Sequence, residues 1–280
     1  MSDNHFVHEK TQRMVSCIMR KLGRHQFRRS ELALTHLVFD VPGLDPAFDG
    51  YKIVHITDIH FGHWVSPERL DGIVGVINEQ QPDLVVNTGD FVSYVIEELA
   101  DDMIAAFQEI KATDGSLAVL GNHDHWLDLD QIRYILRAGH VIELPNDVYT
   151  IDRDDAQLHV AGVDSISLGA DRLDEVLKKM PPSGPALMLA HEPDFADQTA
   201  ATGRFFLQLS GHSHGTQIIP PGMGPVLRGE NFKKYPKGLY QVGNMAQYTS
   251  NGVGTHALRL RINCPPEIVV IVLRSQTSEE

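Results

Sequence analysis

Five short polar runs carry the residue types that bind divalent cations: Asp58-Ile59-His60, Gly89-Asp90, Gly121-Asn122-His123-Asp124, His191 and Gly211-His212-Ser213-His214. Imidazole nitrogens and carboxylates are good ligands for borderline divalent metals, and an amide oxygen suits a harder one. A nitrogen and oxygen donor set without thiolate fits Mn, Fe, Zn or Co. It argues against a structural zinc site, which usually carries cysteine. Taken singly, a Gly-Asp pair is turn chemistry, with Asp accepting backbone bonds and Gly supplying positive φ. The shared position of the five runs argues for more than that.

Each run follows a strand-like stretch: Ile53-Val54-His55-Ile56, Leu84-Val85-Val86, Leu117-Ala118-Val119-Leu120, Ala186-Leu187-Met188-Leu189 and Phe205-Phe206-Leu207-Gln208-Leu209. In sheets whose strands alternate with helices, ligands bind beyond the carboxyl ends of the strands, where loops converge. The runs therefore gather at one sheet edge, with donors enough for two ions. The intervening segments supply the framework. Ser66-Pro67-Glu68 opens a helix through Leu70, Ile73, Val74 and Ile77, with Ser66 as cap and Pro67 in the first position. Apolar spacing predicts further helices over Val95–Lys111, Asp128–Ala138 and Arg172–Met180. Leu32–Val41 reads as a strand, Val148–Ile151 and Gln157–Val163 as a hairpin, and the chain beyond Phe205 as mainly strands.

The order D-x-H, G-D, G-N-H-D, H, G-H-x-H resembles the calcineurin-like metallophosphoesterase superfamily over Tyr51 to Thr216. The segments Ser210–Ile218 and Arg261–Ile268 are similar to a bacterial subgroup that includes membrane-associated phosphodiesterases. The resemblance implies an α/β fold, a four-layer β-sandwich of two mixed sheets flanked by helices. It places Asp58, His60 and His214 on one divalent ion, and Asn122, His191 and His212 on a second, with Asp90 bridging them. Two ions per chain are expected, manganese first, with Fe, Zn or Co as alternatives. A water or hydroxide shared by the ions would be the nucleophile. His123 would face the phosphate and serve the developing charge or the leaving oxygen, with Asp124 orienting its ring.

The expected function is a binuclear metal-dependent phosphoesterase that hydrolyses phosphodiester or pyrophosphate bonds in a small lipid-linked or nucleotide-linked substrate. A phosphomonoesterase and a noncatalytic metal-binding scaffold of the same fold are the alternatives. His63 and His125, just past the metal motifs, are candidate substrate contacts. So is Arg228, in the Pro- and Gly-rich loop 220–238, which also holds Phe232 and follows the last ligands. His55, inside a strand, reads as a hydrogen-bonded core histidine, and His256 as a residue lining the site.

Composition narrows the partners. The chain has 280 residues and a formal net charge of −13. Seven Lys or Arg against two acids give residues 1–30 a charge of +5, so the remainder carries −18. An acidic body disfavours nucleic acid, whose backbone requires basic tracks for counterion release. A small phosphorylated substrate is less constrained, because bound ions supply the local positive charge. Residues 1–30 read as a basic amphipathic arm, and 31–280 as one metallophosphoesterase domain. On a helix, Val7, Met14, Ile18 and Leu22 of the arm would form a stripe suited to peripheral contact with a membrane through residues 5–29, to a partner groove or to packing on its own domain. No apolar stretch approaches the roughly 20 residues of a membrane span, and a cytoplasmic location at the inner membrane surface is expected. The two cysteines, Cys17 and Cys264, fit no metal pattern.

Overall fold

The computed structural model describes residues 27–62, 64–93, 100–222, 229–256 and 259–276. Within them one sheet runs in the order β1 (Ala33–Val41), β12 (Glu267–Ser275), β2 (Lys52–Ile56), β3 (Leu84–Asn87), β4 (Ser116–Ala118), β5 (Val141–Glu143). The other runs β10 (Gly238–Val242), β11 (Met245–Thr249), β9 (Leu207–Ser210), β8 (Ala186–Leu189), β7 (Ala156–Gly162), β6 (Asp147–Arg153). Both are mixed. In the first, β12 and β2 are antiparallel beside parallel neighbours. In the second, β10–β11 and β6–β7 are antiparallel and the central strands parallel.

Period-two alternation along buried strands decides the layering. In β3 Leu84 and Val86 face the space between the sheets while Val85 faces outward, and in β12 Val269 and Ile271 point inward while Ile268 and Val270 point out. Leu187 and Leu189 of β8 complete the inter-sheet core from the opposite side, with Met188 turned away. The outer face of the first sheet packs on α1 (Pro67–Glu79), α2 (Ala100–Gln108) and α4 (Leu129–Ala138), through Leu70, Ile73, Met103, Phe107 and Ile132. Val176 of α5 (Leu173–Lys179) and Ala196 of α6 (Ala196–Ala201) cover the second sheet. The result is the four-layer sandwich expected from the motifs. Each fully buried Leu, Ile or Val contributes roughly 1.5–3 kcal/mol.

Local signals fix the helix starts. Ser66 accepts the Arg69 N–H at 3.3 Å ahead of Pro67, and the Asp128 carboxylate accepts the N–H groups of Asp130 and Gln131 at 3.0 and 3.3 Å. The helix expected over Val95–Lys111 is described from Ala100, residues 94–99 lying outside the described set, and it ends at Gln108, short of Lys111. The basic arm is described only from residue 27 onward. There the Phe27 ring lies so close to Gly72 of α1 that a Cβ at Gly72 would approach it to 2.2 Å. The two sheets are also joined by a buried carboxylate. Glu267 of β12 accepts from Thr35 of β1 at 2.5 Å, Tyr248 of β11 at 2.8 Å and the Asn251 N–H at 2.9 Å.

Candidate metal centre

The polar runs sit at the carboxyl ends of β2, β3, β4, β8 and β9, so one edge of each sheet contributes. Main-chain bonds lace these loops together: Asp58 N–H to Gly89 O at 2.9 Å, His60 N–H to Asp90 O at 3.0 Å, Gly211 N–H to His191 O at 3.0 Å. Asp58, His60, Asp90, His212 and His214 all have positive φ, between 47° and 67°. For non-glycine residues such a conformation costs roughly 1–3 kcal/mol each and persists only where surrounding bonds impose it. Glycine supplies the close approaches. A Cβ at Gly121 would lie 2.2 Å from Asp90 Oδ1, and one at Gly211 would lie 2.3 Å from Asp58 Oδ2.

The side chains converge. His214 Nε2 is 3.3 Å from Asp58 Oδ1 and 3.0 Å from His60 Nε2. Asp90 Oδ2 is 3.5 Å from His60 Nε2 and 3.3 Å from His191 Nε2, so this one oxygen faces both halves of the cluster. His212 Nδ1 lies 3.3 Å from His191 Nε2. Outer hydrogen bonds set which nitrogen points inward, as they do around metal-ligating histidines generally. His191 Nδ1 donates to Thr88 O at 2.6 Å, His60 Nδ1 meets Ser93 Oγ at 2.9 Å, and His212 Nε2 donates to Glu230 O at 3.1 Å.

Three observations fit this cluster to divalent cations. Two imidazole nitrogens 3.0 Å apart need a proton or a cation between them. The Asn122 Oδ1 is buried without a hydrogen-bond partner, which costs free energy unless a ligand satisfies it. Buried carboxylates also crowd one another. Burial, with Asp90 nearby, pushes the Asp58 carboxyl up to about 7. Burial opposes ionisation of Asp90 too, but the adjacent His191 ring outweighs it and holds that carboxyl well below the usual range. A bound cation would relieve both groups.

Residues 51–215 match the sequence profile of the calcineurin-like phosphoesterases. The chain belongs to that family. It is 33% identical over 231 residues to the uncharacterized metallophosphoesterase YkuE of Bacillus subtilis, covering 81% of this chain and 80% of that protein. The phosphodiesterase YaeI of Escherichia coli is 28% identical over 233 residues, 80% of this chain and 82% of its own. A transmembrane protein with metallophosphoesterase domain from Bos taurus is 30% identical over 261 residues, 87% of this chain but 57% of that protein. Among the described residues of this chain, no helix is long and apolar enough to cross a membrane.

Within this family frame, the structure brings together all seven residues expected as ligands, but it changes the part given to Asp124. That side chain does not reach the His123 ring to orient it. Its two oxygens accept the main-chain N–H groups of Asp90 and Gly121 at 2.8 and 2.9 Å and of Phe91 at 2.8 Å. Asp124 is thus a positioning residue that ties the β3 loop to the turn α3 (Asn122–His125). Burial and the neighbouring Asp90 push its carboxyl up, to about 7, against the pull of these donors. His123 has its main-chain N–H on Asp90 Oδ1 at 2.9 Å, and its ring meets His60 edge-on at 4.8 Å. Burial lowers its pKa, with Asp90 opposing. The His123 ring also lies close enough to His60 and Asp90 to act as a third ligand beside them.

The candidate substrate contacts divide. His125 turns away from the cavity and pairs through Nε2 with Asp164 Oδ1 at 2.5 Å. The Asp164 bond holds its pKa above the ordinary histidine value, so this residue belongs to an ion pair beside the site. His63 and Arg228 lie outside the described residues. His55 is a core histidine bonded to Thr88 Oγ1 at 2.8 Å, as its place in the strand suggests. His256 lines the cavity, 5.2 Å from the His123 ring. Sequence reasoning missed Trp126 and Leu168, which also line it. Trp126 directly follows the G-N-H-D-H run, the one signal that pointed to it; Leu168 had none.

A second residue acting from outside the cluster is Arg261. Its guanidinium donates to the carbonyls of Asn251 at 2.7 Å, Gly254 at 2.5 Å, Gly252 and Cys264 at 3.2 Å, and His214 at 3.5 Å. It fastens the β9 ligand loop to the 251–254 turn that covers Asp58, where a Cβ on Gly252 would approach Asp58 Cβ to 2.7 Å.

Proposed function

We propose that this chain is a phosphodiesterase dependent on two divalent metal ions, acting on small phosphorylated substrates. The observation that carries the reading is the placement of Asp90 Oδ2 within 3.5 Å of His60 Nε2 and 3.3 Å of His191 Nε2, which suits a carboxylate shared by two ions. Asp58, His60 and His214 would hold one ion, and Asn122, His191 and His212 the other. Bound divalent ions supply Lewis acidity, and they lower the pKa of water.

The protein's own contributions follow from the geometry. The bonds from His60, His191 and His212 to Ser93, Thr88 and Glu230 fix ring orientation before any ligand arrives, which limits reorganisation during reaction. His123 is set on the Asp90 carboxylate through its main chain, and its ring faces the cavity. We assign it the proton delivered to the leaving oxygen. The preference for diesters draws on similarity to the phosphodiesterase YaeI. Mixed imidazole, carboxylate and amide donors suit Mn, Fe, Zn or Co, and manganese is the ion to load first. The basic segment 5–29 supports contact with an anionic lipid surface, which cosedimentation with vesicles would test against a chain lacking it.

The deciding experiment is metal analysis of the purified chain together with Mn-dependent hydrolysis of bis-p-nitrophenyl phosphate and p-nitrophenyl phosphate. Two ions per chain and faster diester cleavage are expected. A faster monoester would reverse the substrate preference, and absence of metal and turnover would favour a scaffold.

A further inference from the structure

The cavity beside the ligand cluster, about 530 Å³, is unevenly lined. Its floor is built from the ligand residues, and its outer wall from Trp126, Leu168, Ile218 and Phe232. Trp126 is 59% exposed and Leu168 45% exposed, large apolar side chains left open at the mouth of a polar site. The apolar surface continues past the cavity. Ile218 pairs with Ile262, which is 37% exposed, and Leu260 two residues earlier is 49% exposed. Contiguous exposed apolar surface around a cleft marks a binding site more often than a packing accident.

The wall is also held in place. The Glu192 carboxylate accepts from Ser165 Oγ at 2.8 Å, Ile166 N–H at 3.2 Å and Ser167 N–H at 3.0 Å, fixing the loop that presents Leu168. Asn231 donates to Ser167 Oγ at 2.9 Å, joining that loop to the one carrying Phe232, whose ring stands edge-on to His212 at 5.5 Å. The Trp126 ring packs on His123 at 4.5 Å. A preorganised apolar wall loses little entropy on binding.

Charge supplies the second constraint. Among the described residues lining the cavity none is Lys or Arg, whereas Glu230 is present. Away from the ligand cluster, where bound ions would meet the phosphoryl group, the described wall offers no Lys or Arg to a second phosphate. Ser167 Oγ and Gln217 Oε1 already accept from Asn231 and from the His256 N–H.

We infer that the substrates are singly charged phosphodiesters bearing an extended aliphatic substituent, which lies along Trp126, Leu168, Ile218 and Phe232 while the phosphoryl group sits at the ligand cluster. This rests on the phosphodiesterase reading and names its substrate class.

The test uses the Mn-loaded full chain and methyl, butyl and octyl 4-nitrophenyl phosphodiesters, each below its aggregation concentration, with ADP-ribose as the multiply charged comparator. From methyl to octyl kcat/KM should rise about tenfold or more, since each methylene on an apolar wall adds binding. ADP-ribose should trail the octyl ester. In Leu168→Ser the octyl-to-methyl ratio should fall below about threefold. Binding read without turnover gives an independent arm: octyl methylphosphonate should quench tryptophan fluorescence at a lower concentration than methyl methylphosphonate, and the difference should shrink in Leu168→Ser. A flat or falling series, or ADP-ribose ahead of the octyl ester, overturns the substrate class while leaving the phosphodiesterase reading intact. Failure of metal-loaded protein to cleave any of the esters overturns both.

Discussion

Asp124 Oδ2 accepts the main-chain N–H of Asp90 at 2.8 Å, so the residue placed between the two halves of the ligand cluster is held in its left-handed conformation by a carboxylate 34 positions away. The same oxygen takes the Gly121 N–H at 2.9 Å, and its partner oxygen takes Phe91. Strain at Asp90 is thereby maintained by a carboxylate bonded to main-chain N–H groups.

Asp124→Asn turns one acceptor oxygen into an amine donor facing an N–H. Loss of one or two charge-assisted bonds should lower stability by about 2–4 kcal/mol, with metal retained less tightly. Thermal unfolding and metal content after dialysis check this. Unchanged Tm and metal content with a lower kcat alone would return Asp124 to a direct part in the reaction.

Asp90→Ala should lose both metal and activity, because each half of the cluster loses a shared donor. Metal analysis decides it, and two ions retained per chain would remove the bridging assignment.

His123→Ala should keep its metal and lower turnover by roughly two to four orders of magnitude. The deficit should be larger on a diester with a poor leaving group than on a nitrophenyl ester. Equal deficits on both would take the leaving-group proton away from His123.

Arg261→Ala strips one guanidinium from five carbonyls around the β9 loop and the 251–254 turn. Leaving buried carbonyls without their donor costs roughly 1–3 kcal/mol, so Tm should fall by several degrees. Arg261→Lys should recover only part, since an ammonium lacks the planar fork that reaches several carbonyls. Full recovery by lysine would mean that charge alone, without the fork, is what the site needs.

The His125–Asp164 pair gives a pH signature. Its bond to Asp164 raises the His125 pKa, so that contribution is complete below about 6.5 and is lost as pH rises through the raised value. Burial pushes Asp164 up, but its bonds to His125 and to the Ser165 N–H outweigh it and leave the carboxyl lowered. Its contribution is therefore present above the ordinary aspartate pKa and lost as pH falls through the lowered one. Asp164→Asn keeps an acceptor for the Ser165 N–H at the Oδ1 position while removing the charge. Its stability deficit should be about 1.5–3 kcal/mol at pH 6 and should shrink toward pH 9 in parallel unfolding titrations. A deficit constant across that range would show that His125 does not titrate there.

The residue types and their places after strands determined much of this protein without coordinates. Leu84-Val85-Val86 and Ala186-Leu187-Met188-Leu189 are apolar on both faces, which only a strand covered on two sides tolerates, so buried strands and the edge carrying the ligands followed from local pattern, while the pairing of two sheets came from the family resemblance. The ligand types of Asp58, His60, Asp90, Asn122, His191, His212 and His214 named the chemistry. Local pattern says nothing about what a side chain meets after the chain has closed. Asp124 and His125 adjoin the ligand run, the first expected to orient the His123 ring and the second to touch substrate. Tertiary packing separated them, giving one to the backbone of the β3 loop and the other to Asp164, just past β7 of the other sheet. Leu168, Ile218 and Phe232 are far apart in sequence and carry no common motif, so only the meeting of their loops with Trp126 makes a wall. Sequence fixes which groups exist and the period at which they repeat. Contacts between distant loops depend on three-dimensional closure, and it is there that the environment of each charged group and the shape of the cavity are decided.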